Sequence, residues 1–458
     1  MNGTNFGLIG HPVGHTMSPF LHSRLFALCG KRASYRAEDI PPEKLAESLP
    51  RLRLFDGFNL TIPHKQAIIP LLDGLDEKAA RFGSVNTVKT ESGRMTGYTT
   101  DGEGFRRALE AAGAPLSGKI AVLGAGGAAR AIVFEAALAG GGTPAGCEIT
   151  VATREHSVPA AEKLCADIRR ELPACRIGRC LISELRGERD LLVNATPLGM
   201  FPHPEGCAVG EDAVSGSACV FDAVYNPART ALLRLAERLG KKAVGGMGML
   251  VFQAAAAEEI WQGSGFSDAD LLKLCREAEF ERRKKFGSAV LCGFMGSGKT
   301  TVGRLLAERT GRRFVDMDRW IEERQGRPVA RIFAEDGEPY FRELEKNAAK
   351  ELAAQAGLVI AAGGGALLDR ENVAALRANG IVIFLDASLP AVESRLRGDS
   401  SRPLLRGENR DGLRRLYESR RETYRRVSDL TVPADGAPLA VAQAAEELLA
   451  PGGVPPAG

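Results

Sequence analysis

The sequence predicts an α/β protein: an N-terminal α/β substrate domain and a Rossmann-type dinucleotide-binding domain, followed by a P-loop domain with a parallel sheet. Three observations predict it. Short apolar runs alternate with helical stretches along the whole chain. Ile120 to Ala129 reads IAVLGAGGAA, a G-x-G-x-x-A turn after a strand and opening a helix. Leu291 to Val302 reads LCGFMGSGKTTV, which fits G-x-x-x-x-G-K-[ST] in the same strand-turn-helix setting. With 458 residues the chain is too long for one core and suits two or three domains.

The elements follow in order. Over about residues 1–105, FGLIG, DGFNLTIP and SVNTV read as strands, and Pro19 to Cys29 and Pro42 to Leu52 as helices. From Gly118 a second series runs KIAVLG, an alanine-rich helix, EITVATR, DLLVNATP, CVFDAVYN and KAVGG. Helices over Leu250 to Gln262 and Asp268 to Lys285 close it, and the charged run EFERRKK reads as a solvated helix end leading into a linker. From about Ser288 a third series places strands at AVLCGF, RFVDMD, LVIAAGG, IVIFLD and DLTVPA. The tail PGGVPPAG reads as disordered.

Composition narrows the function classes. A formal charge of +3, with 44% hydrophobic and 26% charged residues, argues for a soluble protein and against nucleic acid or an anionic membrane as partner. No apolar run is long enough to span a bilayer, and MNGTNFGLIGHPVGH lacks a signal-peptide layout. Nine cysteines without a C-x-x-C pair suit reduced thiols, so a cytoplasmic location is expected.

Each glycine loop implies an anion. At residues 293–301, Gly293, Gly296, Ser297 and Gly298 turn backbone N–H groups toward phosphate oxygens, and Thr301 sits in the first helical turn. Lys299 reaches the outer phosphates and Thr300 can ligate Mg²⁺, so ATP with magnesium is expected. In the earlier turn, Gly124, Ala125, Gly126, Gly127 and Ala128 make a pyrophosphate cradle. The following strand ends on Arg154, whose guanidinium cannot accept from a ribose hydroxyl but pairs with a 2′-phosphate, favouring NADP.

The first segment gathers polar residues at His15 to Pro19, Asn59 to Lys65, Val85 to Thr87 and Thr99 to Gly102. Thr16, Ser18, Asn59, Thr61, Asn86 and Asp101 offer the mixed donors and acceptors that a polyhydroxylated acid demands. Lys65 can exchange a proton with a carbonyl oxygen while Asp101 holds the ammonium. Taken singly, each fits a turn, a cap or an exposed side chain equally well.

Together these stretches resemble shikimate dehydrogenase over roughly residues 5–280: HTMSPFLH, NLTIPHK, GSVNT, TTDG, GAGGA, VNATPLGM, FDAVYNP and GGMGMLVFQA. The resemblance implies that Thr16, Ser18, Thr61, Asn86, Asp101, Tyr225 and Gln253 contact shikimate. It makes Lys65 and Asp101 the catalytic pair and brings Gly246 to the nicotinamide. It implies a substrate-binding domain over 1–105, joined by the helices of about 250–284, and an NADP-binding domain over 106–249. The sequence departs from the family at Thr16, where serine is usual, at Thr99, where asparagine is usual, and after Arg154, where Glu155 follows and a second arginine is missing.

Residues 288–450 resemble shikimate kinase. By that resemblance Asp316 lies with Thr300 near Mg²⁺, and Asp318 accepts from the substrate diol and can deprotonate the attacking hydroxyl. Arg342, Gly364 and Arg420 grip the substrate, two guanidinium forks suiting one carboxylate. Arg402, in the basic stretch RGDSSRPLLRGENR, closes as a lid on the ATP phosphates. Asp386 reads as structural. The two resemblances imply consecutive steps of aromatic amino acid biosynthesis, NADPH-dependent reduction of 3-dehydroshikimate and ATP-dependent phosphorylation of shikimate. Two other readings of the front half stand beside this: a quinate/shikimate dehydrogenase using NAD, and a non-catalytic module that senses shikimate. The number of chains in the assembly is left open.

Overall fold

The computed structural model describes residues 4–14, 16–114, 116–140, 147–263, 265–396 and 410–450. They form two compact units, Met1–Glu279 and Phe280–Gly458, and each contains its own parallel or mixed sheets.

In the first unit, one sheet is built from β1 (Thr4–Gly10), β2 (Ala33–Asp39), β3 (Gly57–Leu60), β4 (Gly74–Leu75), β5 (Thr87–Glu91) and β6 (Arg94–Tyr98). Its order is β2-β1-β3-β5-β6-β4. β1 pairs parallel with β2 and β3, whereas β5 runs antiparallel to β3 and β6. The hairpin between β5 and β6 turns at Ser92 and Gly93, both with positive φ (51° and 77°), as a tight two-residue connection requires. Ile9, Phe58, Leu60, Val85 and Val88 form its core.

The second sheet holds β7 (Gly118–Leu123), β8 (Cys147–Thr153), β9 (Arg176–Leu181), β10 (Arg189–Asn194), β11 (Ser217–Asp222) and β12 (Lys242–Gly245). Every pair is parallel, in the order β12-β11-β10-β7-β8-β9. The order reverses between β7 and β10, and a crevice opens there at the strands' carboxyl ends. The helix Met247–Gln262 then packs on the helix Asp101–Ala111. A Cβ on Gly104 would lie 2.6 Å from the Met249 carbonyl, so glycine is what lets these helices meet.

The second unit has one parallel sheet, β14-β15-β13-β16-β17, from β13 (Ser288–Cys292), β14 (Arg313–Asp316), β15 (Leu358–Ala361), β16 (Gly380–Asp386) and β17 (Leu430–Pro433). Both faces are covered. Ala289, Leu291, Ile381 and Ile383 point into one core; Val290, Cys292, Val382 and Phe384 point into the other.

Two expectations change. Residues 42–52 form only a short 3-10 turn (Pro42–Lys44) and one helical turn (Leu49–Leu52). The EFERRKK run is not a solvated end: Arg282 and Lys284 are 0% and 1% exposed. Arg282 bonds Asn379 at 2.9 Å, Lys284 the Ala450 carbonyl at 2.9 Å, and Arg283 the Asp429 carboxylate at 3.4 Å. Arg282, Arg283 and Lys284 belong to the second unit and are paired within it rather than with water.

Candidate active sites

The first site is assembled at the ends of β3, β5 and β6. Lys65 enters on the short helix His64–Ala67 directly after β3, and Asp101 opens the helix Asp101–Ala111 after β6. Lys65 Nζ donates to Asp101 Oδ2 at 2.5 Å, with side chains 17% and 8% exposed. Asn86 donates to the other carboxylate oxygen at 2.8 Å and to Thr100 Oγ1 at 2.9 Å, while its own carbonyl accepts from Thr100 N at 2.7 Å. Gln253 reaches the same group through Asn86 at 3.3 Å. The result is a lysine held by a carboxylate whose second oxygen is already engaged, so Asp101 is held from turning away.

The glycine turn lies beside this pair. A cleft of about 610 Å³ is lined by Thr61 and Lys65 on one side, Gly124 to Ala128 below, and Thr153, Arg154 and Ala195 to Leu198 on the other. Gly124 has φ +105°, and no atom lies within 4 Å of where a Cβ on Gly126 would stand, so the backbone there is open to a pyrophosphate. These residues therefore fit a dinucleotide. Arg154 is exposed and also borders an adjoining cleft with Glu155 and Arg186. Gly246 admits no side chain, because a Cβ would collide with the Ala223 carbonyl.

The remaining positions fall nearby or into support. Thr16 Oγ1 donates to Ser18 Oγ at 3.1 Å at the start of the helix Ser18–Leu28, and His15 lies outside the described residues. Burial pushes the Tyr225 phenol up to about 12. The stretches VNATP and FDAVYNP meet each other: Asn194 donates to Asp222 Oδ1 at 2.9 Å, and Thr230 donates to Oδ2 at 2.5 Å. Burial lifts the Asp222 carboxyl to about 6 despite those donors.

In the second unit, Gly293, Gly296 and Gly298 all take positive φ (148°, 78° and 93°). Ser297 Oγ is buried with no partner among the described residues, a free polar atom inside the loop. That suits a phosphate chain. Lys299 Nζ lies over the loop, donating to the Gly293 carbonyl at 2.8 Å. Thr300 Oγ1 donates to Asp316 Oδ2 at 2.9 Å, so a hydroxyl and a carboxylate stand together at the helix start; such sparse oxygen donors fit Mg²⁺, which keeps most of its waters. Asp316 also caps the next helix through Asp318 N at 3.2 Å. Thr301 follows in the helix Lys299–Thr310.

A second glycine run, Gly363 to Gly365, gathers the other groups. A Cβ on Gly363 would stand 2.5 Å from Asp318 Oδ1, and one on Gly365 would collide with Arg342 Nη1. Arg420 Nη1 donates to the Gly364 carbonyl at 3.4 Å. Asp318, Arg342 and Arg420 thus converge, and only glycine leaves room. Asp386 is gripped by both arms of Arg421 at 2.7 and 2.8 Å, a structural pairing. Arg402 lies outside the described residues.

Two residues here escaped the sequence reading. Glu345, 1% exposed, accepts from Arg342; burial raises its carboxyl, against the pull of Arg342. Tyr424 donates to the Gly364 carbonyl at 2.5 Å, its phenol pushed by burial up to about 12. Each stands one helical turn from a named arginine, Arg342 to Glu345 and Arg420 to Tyr424, and that spacing was the available signal.

Comparison with known proteins follows the same division. The shikimate dehydrogenase substrate binding domain family matches residues 8–88, and the shikimate kinase family matches residues 295–450. A shikimate dehydrogenase (NADP(+)) of Moorella thermoacetica is 42% identical over 277 residues, covering 59% of this chain and 92% of that protein. The crystal structure of shikimate 5-dehydrogenase from Thermus thermophilus with NADP(H) and shikimate is 35% identical, with TM-score 0.53, covering 60% of this chain and 99% of that one. The enzyme from Listeria monocytogenes in complex with shikimate and NAD is 32% identical, with TM-score 0.54, covering 59% and 96%.

Proposed function

The chain belongs to the shikimate dehydrogenase family and carries a shikimate kinase domain, which makes it a bifunctional shikimate-pathway enzyme; from that premise we propose how its residues divide the work. Residues 1–105 with the helices of about 250–284 bind the acid and residues 106–249 bind NADP; residues 288–450 form the kinase. Bound NADPH supplies the hydride and ATP the phosphoryl group.

Lys65 donates the proton that the 3-dehydroshikimate carbonyl oxygen gains, and Asp101 orients the ammonium from 2.5 Å. Asn86, Gln253, Thr61, Ser18 and Thr16 hold the hydroxyls and carboxylate, with Tyr225 on the same ligand. Gly124 to Ala128 take the pyrophosphate, Arg154 the 2′-phosphate, and Gly246 gives the nicotinamide its room. In the second unit, Asp318 takes the proton of the attacking hydroxyl, Arg342, Arg420 and Gly364 hold the carboxylate end, and Lys299 with Arg402 offsets phosphate charge. Gly293 to Thr301 wrap the phosphates, and Thr300 and Asp316 would hold Mg²⁺. A chain that consumes NADPH and ATP and keeps nine free cysteines works in the cytoplasm.

The observation that carries this reading is the Lys65–Asp101–Asn86 group standing at the mouth of a dinucleotide cleft. Adding 3-dehydroshikimate, NADPH, ATP and Mg²⁺ to the purified chain tests it. Shikimate 3-phosphate should form with shikimate as a transient; NADPH left unoxidised would sink the first half. Glu155 beside Arg154 favours a second reading, use of NAD, which kcat/KM with each cofactor would separate.

A further inference from the structure

Behind the first site lies a buried imidazole–carboxylate pair that the reaction just described does not use. His22 and Glu258 are both fully buried, and His22 Nδ1 meets Glu258 Oε1 at 2.6 Å. His22 Nε2 and Glu258 Oε2 have no partner among the described residues. A buried pair with two bare polar atoms costs more than apolar side chains of the same volume. Stability does not account for it, so the question is what it orients.

The imidazole lies flat on Tyr35, with ring centroids 4.1 Å apart and planes 5° from parallel. Burial first, and the Glu258 charge next, hold the Tyr35 phenol well above its ordinary value, so the hydroxyl keeps its proton and acts as a donor. That donor begins a chain. Tyr35 donates to Asn59 Oδ1 at 2.8 Å, which leaves the Asn59 amide to donate to Thr87 Oγ1 at 3.0 Å. Thr87 then donates to Asn86 Oδ1 at 3.3 Å, and the Asn86 amide donates to Asp101 Oδ1 at 2.8 Å. Backbone groups pin the sense of both amides, since Asn59 also donates to the Asn86 main-chain carbonyl at 3.2 Å and Asn86 Oδ1 accepts from Thr100 N at 2.7 Å, so what Tyr35 contributes is the position of the chain's outer end. At the far end, Asp101 is left as a pure acceptor for Lys65. The helix Met247–Gln262 touches this chain twice, through Gln253 at Asn86 and through Glu258 behind Tyr35.

We propose that Glu258 and His22 are positioning residues of the first site: by fixing the Tyr35 ring they hold in place the chain of hydrogen bonds that keeps Asp101 against Lys65. The inference rests on the assignment of Lys65 and Asp101 above.

Three variants of the full chain test it, each read by dehydrogenase kcat and KM for shikimate and by the Kd for NADP⁺. Glu258→Gln keeps an acceptor for His22 and should stay within about twofold of the parent. Glu258→Leu and Tyr35→Phe break the chain at successive links, and each should lower kcat about tenfold while the Kd for NADP⁺ stays unchanged. Parental kcat and KM in both would overturn the proposal, and so would a Glu258→Gln chain as impaired as Glu258→Leu. If Glu258→Leu does not fold, Tyr35→Phe decides on kcat alone, because its hydroxyl also bonds Ser18 and the loss of that bond falls on the KM for shikimate. Lys65→Ala is the separate control. Activity surviving that change strikes the site assignment itself, whereas an inactive Lys65→Ala beside a fully active Tyr35→Phe strikes only the positioning role.

Discussion

The two units solve opposite electrostatic problems. In the first, the lysine proposed as proton donor already stands on its proposed partner, with Asp101 at 2.5 Å and Asn86 closing the other oxygen. In the second, the cations are held on internal substitutes: Lys299 on loop carbonyls, Arg342 on Glu338 at 2.7 Å and on Glu345. A site for one carbonyl can be finished before substrate arrives. A site for a triphosphate and a carboxylate concentrates positive charge, which must be offset until the anions replace the substitutes. The comparison teaches that pre-organisation here means fixed geometry in one unit and exchangeable ion pairs in the other.

That contrast can be broken most sharply by removing each lysine in turn. Lys65→Ala should lower dehydrogenase kcat about 10²–10⁴-fold and leave kinase turnover alone; Lys299→Ala should cost the kinase about 10²–10³-fold and spare the dehydrogenase. Steady-state assays of both reactions on each variant check the independence. Next in size, Arg342→Lys should raise the kinase KM for shikimate about tenfold with kcat nearly kept, since a lone ammonium cannot reproduce a fork of parallel donors. In the first unit, Arg154→Gln should narrow the preference for NADP⁺ over NAD⁺ about tenfold, measured as the ratio of kcat/KM values.

The smallest effect concerns stability. Asp222 has a folded-state carboxyl raised to about 6 from 3.8. A raised acid stabilises the fold while protonated, so its contribution is complete below about pH 4 and is lost as the pH rises through about 6. Relative to Asp222→Asn, the first unit should therefore lose up to about 3 kcal/mol of stability between pH 4 and pH 7, read from paired melts. An unchanged difference would mean the carboxylate stays ionised throughout.

The sequence was most legible where strands are buried on both faces. β7, β10, β13 and β16 are continuous apolar runs, and each is interior to its sheet. β2 (ASYRAED) and β9 (RIGRCL) were missed because edge strands carry charge and show no such run. The glycine loops were legible as motifs because positive φ at Gly124, Gly293, Gly296 and Gly298 restricts the residue type. Glu345, Tyr424 and the His22–Glu258 pair were not, since a carboxylate or phenol on a helix face looks the same whether it meets solvent or a neighbour. The EFERRKK run misled for the same reason: its charges are paired at long range, with Asn379, Asp429 and Ala450, which no local pattern reveals.

The central claim is that two separate pockets in one chain receive the same acid. Equilibrium dialysis of labelled shikimate, with NADP⁺ and ADP present, measures it directly. Two equivalents should bind per chain, falling to one in Arg342→Ala and to one in Asn86→Ala, with neither substitution affecting the other unit's equivalent. A single equivalent in the parent chain, or both lost together, would contradict the account.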